Sequence, residues 1–182
     1  MQIVAPILRF VQIVFAAVVL GLSVSLAKGQ APGFSVPATT AYSSFTGGFG
    51  MVVALIGLIS IFVEFLQGIV MLVLDALASL IFLAGGIAVA IGLRGVSCGN
   101  VDEMFKNSLL NGGCTKAHGE TECYYGQIPV DRTDQLTGRC RKDEADSAFM
   151  FLGFIICAGL VAHTFWFGGR IAGRKMDVHI VA

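Results

Sequence analysis

The chain has 182 residues, of which 55% are hydrophobic and only 13% charged, and its formal net charge is zero. This composition is far from that of soluble domains and is typical of a membrane protein. Zero net charge, together with the lack of a basic run interleaved with aromatic residues, argues against nucleic acid as a partner. The first question is therefore how many segments can cross a bilayer.

Four apolar segments each approach the ~20 residues that a helix needs to cross ~30 Å of hydrocarbon. We predict transmembrane spans at residues 7–27, 43–64, 67–94 and 147–169, separated by one long polar loop at 95–146 and followed by a tail at 170–182. The predicted fold class is an all-α integral membrane protein. It is a single domain, residues 1–182, built as a four-transmembrane-helix bundle.

Two of these boundaries need an argument. The first segment ends in the small residues Ser25-Leu26-Ala27, as a secretory signal peptide would, but we predict a permanent helix. From Ala41 to Leu93 the chain is apolar except for two acids, and one helix of that length would extend roughly 80 Å. The chain must therefore reverse, and the polar stretch Glu64–Gly68 is where we expect it to do so.

The polar loop holds nine of the twelve acidic residues and four of the five cysteines. Clustered thiols in a small polar loop are expected to pair as disulfides in an oxidising compartment. We therefore predict that the loop is extracellular and both termini cytoplasmic, in the plasma membrane. A simple count of basic residues would place the loop inside, but that rule applies to short loops.

Four loop cysteines permit three pairings, and spacing alone does not choose among them. The nested pairing joins Cys98 to Cys140 and Cys114 to Cys123. It is attractive because Cys98 and Cys140 lie near the ends of spans three and four. The alternative is a metal site of Cys114, His118 and Cys123, whose spacing matches no zinc pattern well. We expect no metal and no cofactor.

Ionisable groups inside a membrane are costly and are candidates for function. Here they are Arg9, Glu64, Asp75 and His163. Asp75 and His163 could serve a proton or ion relay, or Asp75 could form a structural pair with His163 or with Arg9. We favour the structural pair because two groups do not make a path across a membrane. Cys157, in an apolar setting, is expected to be inert.

Small residues recur at four-residue spacing and predict close helix packing in lipid. The predicted packing positions are Gly50, Ala54, Ala84, Ala88, Gly92 and Gly153, with one stripe left for a neighbouring copy. The basic residues Arg170, Arg174 and Lys175 beside the last span would favour anionic lipid. No catalytic motif occurs, so we expect a protein that is not an enzyme.

Several short segments carry a family resemblance. In chain order they are Ile7–Arg9 with Gly21–Leu26, Phe62–Glu64 with Leu74-Asp75, Ala90–Arg94 with Ser97-Cys98, and Arg139–Arg141. The more specific part is Arg-x-x-Ser-Cys (Arg94 to Cys98) together with Arg139-Cys140-Arg141, since the two flank the same loop. In these segments the chain resembles fungal MARVEL-domain proteins of the non-classical-export type.

The resemblance implies a plasma-membrane protein associated with eisosomes, which are furrow-like membrane compartments, with responses to sphingolipids and with unconventional protein export. It supports the pairing of Cys98 with Cys140, and it matches Glu64 and Asp75 to recurrent acids of the family. The chain departs from the family in a longer loop that contains Cys114 and Cys123.

The predicted function is therefore a non-enzymatic organiser of a plasma-membrane microdomain. Its expected partners are membrane lipids, such as sphingolipid or sterol, and other copies of itself or other membrane proteins in lateral contact. One alternative is a small channel or transporter that uses Asp75 and His163. Another is a claudin-like adhesion element built on the polar loop.

Overall fold

The computed structural model describes residues 4–63, 68–117, 120–125 and 133–180, with side chains described as far as residue 166 except at residues 117, 120 and 121. The helices are α1 (Val4–Lys28), α2 (Ala38–Ile59), α3 (Ile69–Gly92), the short α4 (Val101–Lys106) and α5 (Thr133–Ile180). The strands are β1 (Cys114–Ala117) and β2 (Glu120–Cys123). The first three long helices thus follow one another, and a small region of one short helix and two strands lies between α3 and α5.

Within the described ranges, four helices are long and apolar enough to cross a membrane: α1, α2, α3 and the part of α5 from Thr133 to Trp166. At 1.5 Å per residue the 22 residues of α2 rise ~33 Å, enough for the hydrocarbon core. The prediction of an all-α four-span bundle is confirmed.

The core of the bundle forms where α1 packs against α2 and α5, and α3 packs against α5 and α2. Phe82 of α3 lies at its centre and is 1% exposed. A Cβ atom added at Gly50 or at Gly153 would lie 2.6 or 2.8 Å from the Phe82 ring, so both glycines make room for it. The buried residues of this core are Ala16, Val19, Val53, Ala78, Phe82, Val89, Met150 and Cys157.

The outer surface of the long helices is apolar. Phe10 of α1, Val52 of α2, Leu80 of α3 and Ile155 of α5 are each more than half exposed. Exposed apolar side chains on every long helix suit a lipid surround, in which helices satisfy their own backbone hydrogen bonds.

A small lobe, here the described residues 94–117 and 120–125, covers one end of the bundle. Its strands pair antiparallel with Cys114 opposite Cys123, and these two form a disulfide. A second disulfide joins Cys98 to Cys140 of α5, so the structure has the nested pairing. Met104 and Leu110 of the lobe form a second small core with Leu136 and Cys140 of α5.

The lobe is also held to the connection between α1 and α2. The backbone N–H of Ala31 donates to the carbonyl oxygen of Gly112 at 3.0 Å. The Tyr125 hydroxyl donates to the carbonyl oxygen of Gly29 at 2.8 Å. Gly112 has φ of 75°, and a Cβ there would lie 2.7 Å from the Tyr125 ring. Only glycine fits this backbone conformation and this contact.

Two predicted boundaries of the membrane spans differ from the helix ends in the structure. Residues 133–146, predicted as the end of the loop, form the first turns of α5, because Leu136, Cys140 and Asp143 place one buried face toward the lobe and the bundle. The helix α2 ends at Ile59, before the predicted end of span two. Residues 64–67, where we expected the chain to reverse, lie outside the described residues.

Candidate functional site

A buried ion pair joins α1 to α3. The Nη1 and Nη2 atoms of Arg9 donate to Oδ1 and Oδ2 of Asp75 at 2.5 and 2.6 Å. Arg9 Nη1 also donates to Oε1 of Gln12 at 3.0 Å, and Gln12 Nε2 donates to the sulfur of Cys157 on α5 at 3.3 Å. A bidentate guanidinium–carboxylate pair of this kind is strong and directional. We call these four residues the inner cluster.

The remaining long helix leaves space for the inner cluster. A side chain at Gly57 of α2 would collide with the guanidinium of Arg9. Arg9 is 5% exposed and Asp75 is fully buried. All four long helices therefore meet around one neutralised pair of charges. Burying both charges is tolerable only because each satisfies the other.

Of the two partners predicted for Asp75, the structure has Arg9. His163 is half-buried on α5, beyond Cys157 in the chain. Glu64, the fourth predicted intramembrane group, lies outside the described residues. An ion relay needs a series of groups that continues across the membrane, whereas Arg9 and Asp75 are bonded to each other. The inner cluster therefore has the geometry of a structural contact that holds α1 against α3 and α5.

The predicted packing positions fall on both faces of their helices. Gly50, Ala54 and Gly153 are buried in the bundle. On α3, however, Ala84 is exposed, Ala88 is half-buried and Gly92 is half-buried beside the lobe, where a Cβ would lie 3.3 Å from Leu109. The buried glycines of α3 are Gly85 and Gly86. The four-residue spacing identifies small residues on α3, but it does not show which face of α3 packs against the other helices.

Gly47 of α2, which the sequence pattern does not single out, lies in close contact with the backbone of α1. A Cβ at Gly47 would lie 2.6 Å from the backbone nitrogen of Leu20, whereas one at the adjacent Gly48 would meet no atom within 4 Å. The two glycines thus form a matched pair on one helix. Gly47 carries the contact and Gly48 faces open space.

We expect Gly47→Ala to lower the free energy of unfolding by about 1–3 kcal/mol, because backbone atoms of α1 must move away. Gly48→Ala should leave it unchanged or raise it by up to about 1 kcal/mol through helix propensity. Unfolding in detergent–lipid micelles, followed by circular dichroism, measures both. Equal effects of the two substitutions would show that α1 and α2 do not approach at Gly47.

A second set of buried polar residues lies near the lobe, on the part of α5 that precedes Ser147. Arg139, Asp143 and Asp146 are 5%, 2% and 1% exposed. Asp143 Oδ2, Asp146 Oδ1 and Arg139 Nε are buried without a hydrogen-bond partner among the described residues. We call these three residues, with Ser23 of α1, the lobe-end cluster.

Arg139 connects the lobe-end cluster to the lobe. Its Nη1 donates to the carbonyl oxygen of Leu26 at 3.1 Å and its Nη2 to that of Leu109 at 3.4 Å. Its guanidinium carbon also lies 5.3 Å from the centre of the Tyr125 ring, within the range of a cation–π contact. Arg139 therefore links α5, α1 and the lobe through contacts other than a salt bridge.

In the sequence, Arg139 stands out only through the family resemblance, and Asp143 and Asp146 are predicted to lie in the polar loop. The signal that could have found them is their spacing. Arg139, Asp143 and Asp146 are four and three residues apart, which places them on one face of a helix.

The four loop cysteines form two disulfides and therefore do not provide thiolate ligands for a metal ion. Cys114 and Cys123 are bonded to each other, so the alternative metal site has lost two of its three ligands, and His118 lies outside the described residues. The sulfurs of Cys98 and Cys140 lie near the carboxylate of Glu144, but they too form a disulfide. A thiolate is required for ligation, and a disulfide sulfur does not provide one.

The basic residues predicted to contact anionic lipid are on the last turns of α5. The backbone of α5 is helical as far as Ile180, so Arg170, Arg174 and Lys175 continue the helix beyond its apolar part. Their side chains lie outside the described residues. Contact with anionic lipid stays a prediction.

Comparison with known protein families matches residues 2–163 to MARVEL, described as a membrane-associating domain. The match covers all four apolar segments of the chain up to His163. Searches of curated proteins and of solved structures found no match.

Proposed function

The chain belongs to the MARVEL family of membrane-associating domains, and from this premise we propose that it organises the plasma membrane. In this role it is not an enzyme. It gathers lipids and neighbouring membrane proteins into a microdomain of the eisosome type.

One observation carries the proposal: the charges inside the bundle neutralise each other. Arg9 and Asp75 form a bidentate pair, and Gln12 joins that pair to Cys157. Transporters instead build their sites from broken helices near the middle of the membrane. Here α1, α2 and α3 are continuous over their described lengths. What the bundle offers to its surroundings is an apolar outer surface.

The disulfides support an orientation with the lobe outside the cell. The bridges Cys98–Cys140 and Cys114–Cys123 are expected to persist only in an oxidising compartment. With four crossings, both termini then lie on the cytoplasmic side. The basic residues after the last span would there meet the anionic leaflet.

Lateral association is the second part of the proposal. Ala84 is exposed and Ala88 is half-buried on α3, between the large exposed side chains of Leu80 and Ile91. Small residues among large ones let a second helix approach closely in lipid. We assign this surface to another copy of the chain or to another membrane protein. Sphingolipids or sterols would occupy the remaining apolar surface, and unconventional export would depend on the assembled microdomain.

Two measurements test the organiser role. Imaging of the tagged protein in its native membrane should show patches of many copies, which disperse when sphingolipid synthesis is blocked. Ion flux into liposomes that contain the purified protein should equal that of empty liposomes. An even distribution in the membrane would contradict the organiser role. So would a specific conductance that is lost in Asp75→Asn, which is the result expected of a channel or transporter.

A further inference from the structure

The lobe-end cluster has more negative than positive charge if both of its acids are ionised. Asp143 and Asp146 would carry two negative charges against the single positive charge of Arg139. Buried charges of this kind are stable only when they are compensated. Among the described residues, Asp143 Oδ2 and Asp146 Oδ1 have no hydrogen-bond partner, so hydrogen bonds compensate these two acids only in part.

We infer that the lobe-end cluster is a proton-binding site: Asp143 and Asp146 together hold one proton in the folded protein, and its loss loosens the packing of α5 against α1. This role is independent of whether the protein organises a microdomain. It concerns a site at the lobe end of the bundle, away from Arg9 and Asp75.

Ser23 of α1 supplies one hydrogen bond to the lobe-end cluster. The Oγ atom of Ser23 lies 2.7 Å from the carbonyl oxygen of Val19 and 3.1 Å from Oδ2 of Asp146. The Ser23 hydroxyl donates to Asp146, so Asp146 Oδ2 has a hydrogen-bond partner. Asp146 Oδ1 and Asp143 Oδ2 are buried without one among the described residues, which leaves both carboxyl groups only partly compensated.

Asp143, the other acid of the cluster, binds a proton at a higher pH than an exposed aspartate does. Burial raises the pKa of Asp143 from its ordinary 3.8 to about 7, with Arg139 lowering the pKa and Asp146 raising it. Both acids precede the apolar part of α5, which begins at Ser147, so they are on the lobe side of the span. A proton occupies no cavity, whereas a metal ion would need several oxygen ligands around it.

Within the described residues, each element packed around the cluster contributes charged or polar groups near it. On α5, Lys142 is exposed and its Nζ donates to the Ser25 hydroxyl at 3.0 Å. At this end of the bundle α1 contributes Lys28, and α2 contributes the phenol of Tyr42 and the hydroxyl of Ser43, which interacts with Asp146. The lobe contributes Tyr125, which lies against Arg139. The only acid of α3 is Asp75, at the opposite end of the bundle.

The sign of the pH dependence follows from the raised pKa of Asp143. Between its ordinary 3.8 and about 7, the folded chain holds a proton that the unfolded chain has released. Stability therefore falls as the pH rises through this window and levels off above it. We expect the melting temperature to be about 5 °C lower at about pH 8 than at about pH 5.

The test uses the full-length protein in lipid nanodiscs with isotope-labelled aspartate. Infrared spectra should show the C=O stretch of a protonated carboxylic acid at about pH 5 that disappears by about pH 8. The double variant Asp143→Asn/Asp146→Asn should lose this signal and the pH dependence of its melting temperature. Asp134→Asn, at an exposed position on the same helix, should retain both.

Two results would overturn the proposal. One is a wild-type spectrum without a protonated carboxyl signal at about pH 5, a result that does not depend on any variant folding. The other is a melting temperature that follows sodium or calcium concentration at constant pH and does not follow pH, which would identify a metal ion as the occupant.

Discussion

Asp75→Asn should lower the free energy of unfolding by about 3–5 kcal/mol, because it leaves the Arg9 guanidinium buried without a counter-charge. Arg9 is 5% exposed and Gln12 is its only other side-chain partner in the described part of the chain. An amide oxygen can still accept a hydrogen bond, but it cannot neutralise a charge in an apolar medium. Chemical unfolding in detergent–lipid micelles, followed by circular dichroism, measures the change.

The control for this prediction removes both charges at once. Arg9→Met with Asp75→Leu replaces the pair by apolar side chains of similar size and should be close to the wild type in stability. The two single substitutions should each cost more than the double substitution, which makes the interaction energy large and measurable in a cycle. If Asp75→Asn alone is as stable as the wild type, the pair does not fasten α1 to α3.

Removing the bridge between Cys98 and Cys140 is expected to cost about 4 kcal/mol. The disulfide closes a segment with a sequence separation of 42, and the chain-entropy relation converts a loop of that length into about this free energy. The variant Cys98→Ser/Cys140→Ser removes both thiols and so avoids mispairing. Its unfolding free energy is measured as above, with all membrane segments retained.

The second bridge provides a matched comparison within the same lobe. Cys114 and Cys123 have a sequence separation of 9, and the same relation predicts about 3 kcal/mol for Cys114→Ser/Cys123→Ser. The larger loss should therefore come from the longer loop. Cys98→Ser/Cys140→Ser should also loosen the attachment of the lobe to α5, which Arg139 and the shared apolar core still hold. The reverse order, or no change in either variant, would contradict a lobe fastened to α5 by the longer bridge.

Sequence reasoning worked best where the signal is local and repeated. Apolar runs of about 20 residues predicted four membrane helices, since each helix buries its own backbone in lipid whatever its neighbours do. It failed at the start of α5. Residues 133–146 are too rich in charge to be found as a span, and their buried face is recognisable only with the lobe beside it.

The candidate functional residues show the same difference between local sequence signals and tertiary contacts. The ionisable residues Arg9 and Asp75 stand out because a charge in an apolar run is rare. Which partner Asp75 takes depends on how α1, α3 and α5 turn about their axes. For that reason the sequence left Arg9 and His163 as alternatives. The close contact at Gly47 has the same cause, since Gly48 beside it is chemically identical and faces open space.

The sequence by itself determined that this protein crosses the bilayer four times and carries a cysteine-rich segment between spans three and four. Both follow from the cost of placing polar groups and charges in hydrocarbon. Only the tertiary structure decided that Arg9 meets Asp75 and that Asp143 and Asp146 are buried beside Ser23. These contacts join residues far apart in the chain, and helix rotation and packing, which local patterns do not encode, bring them together.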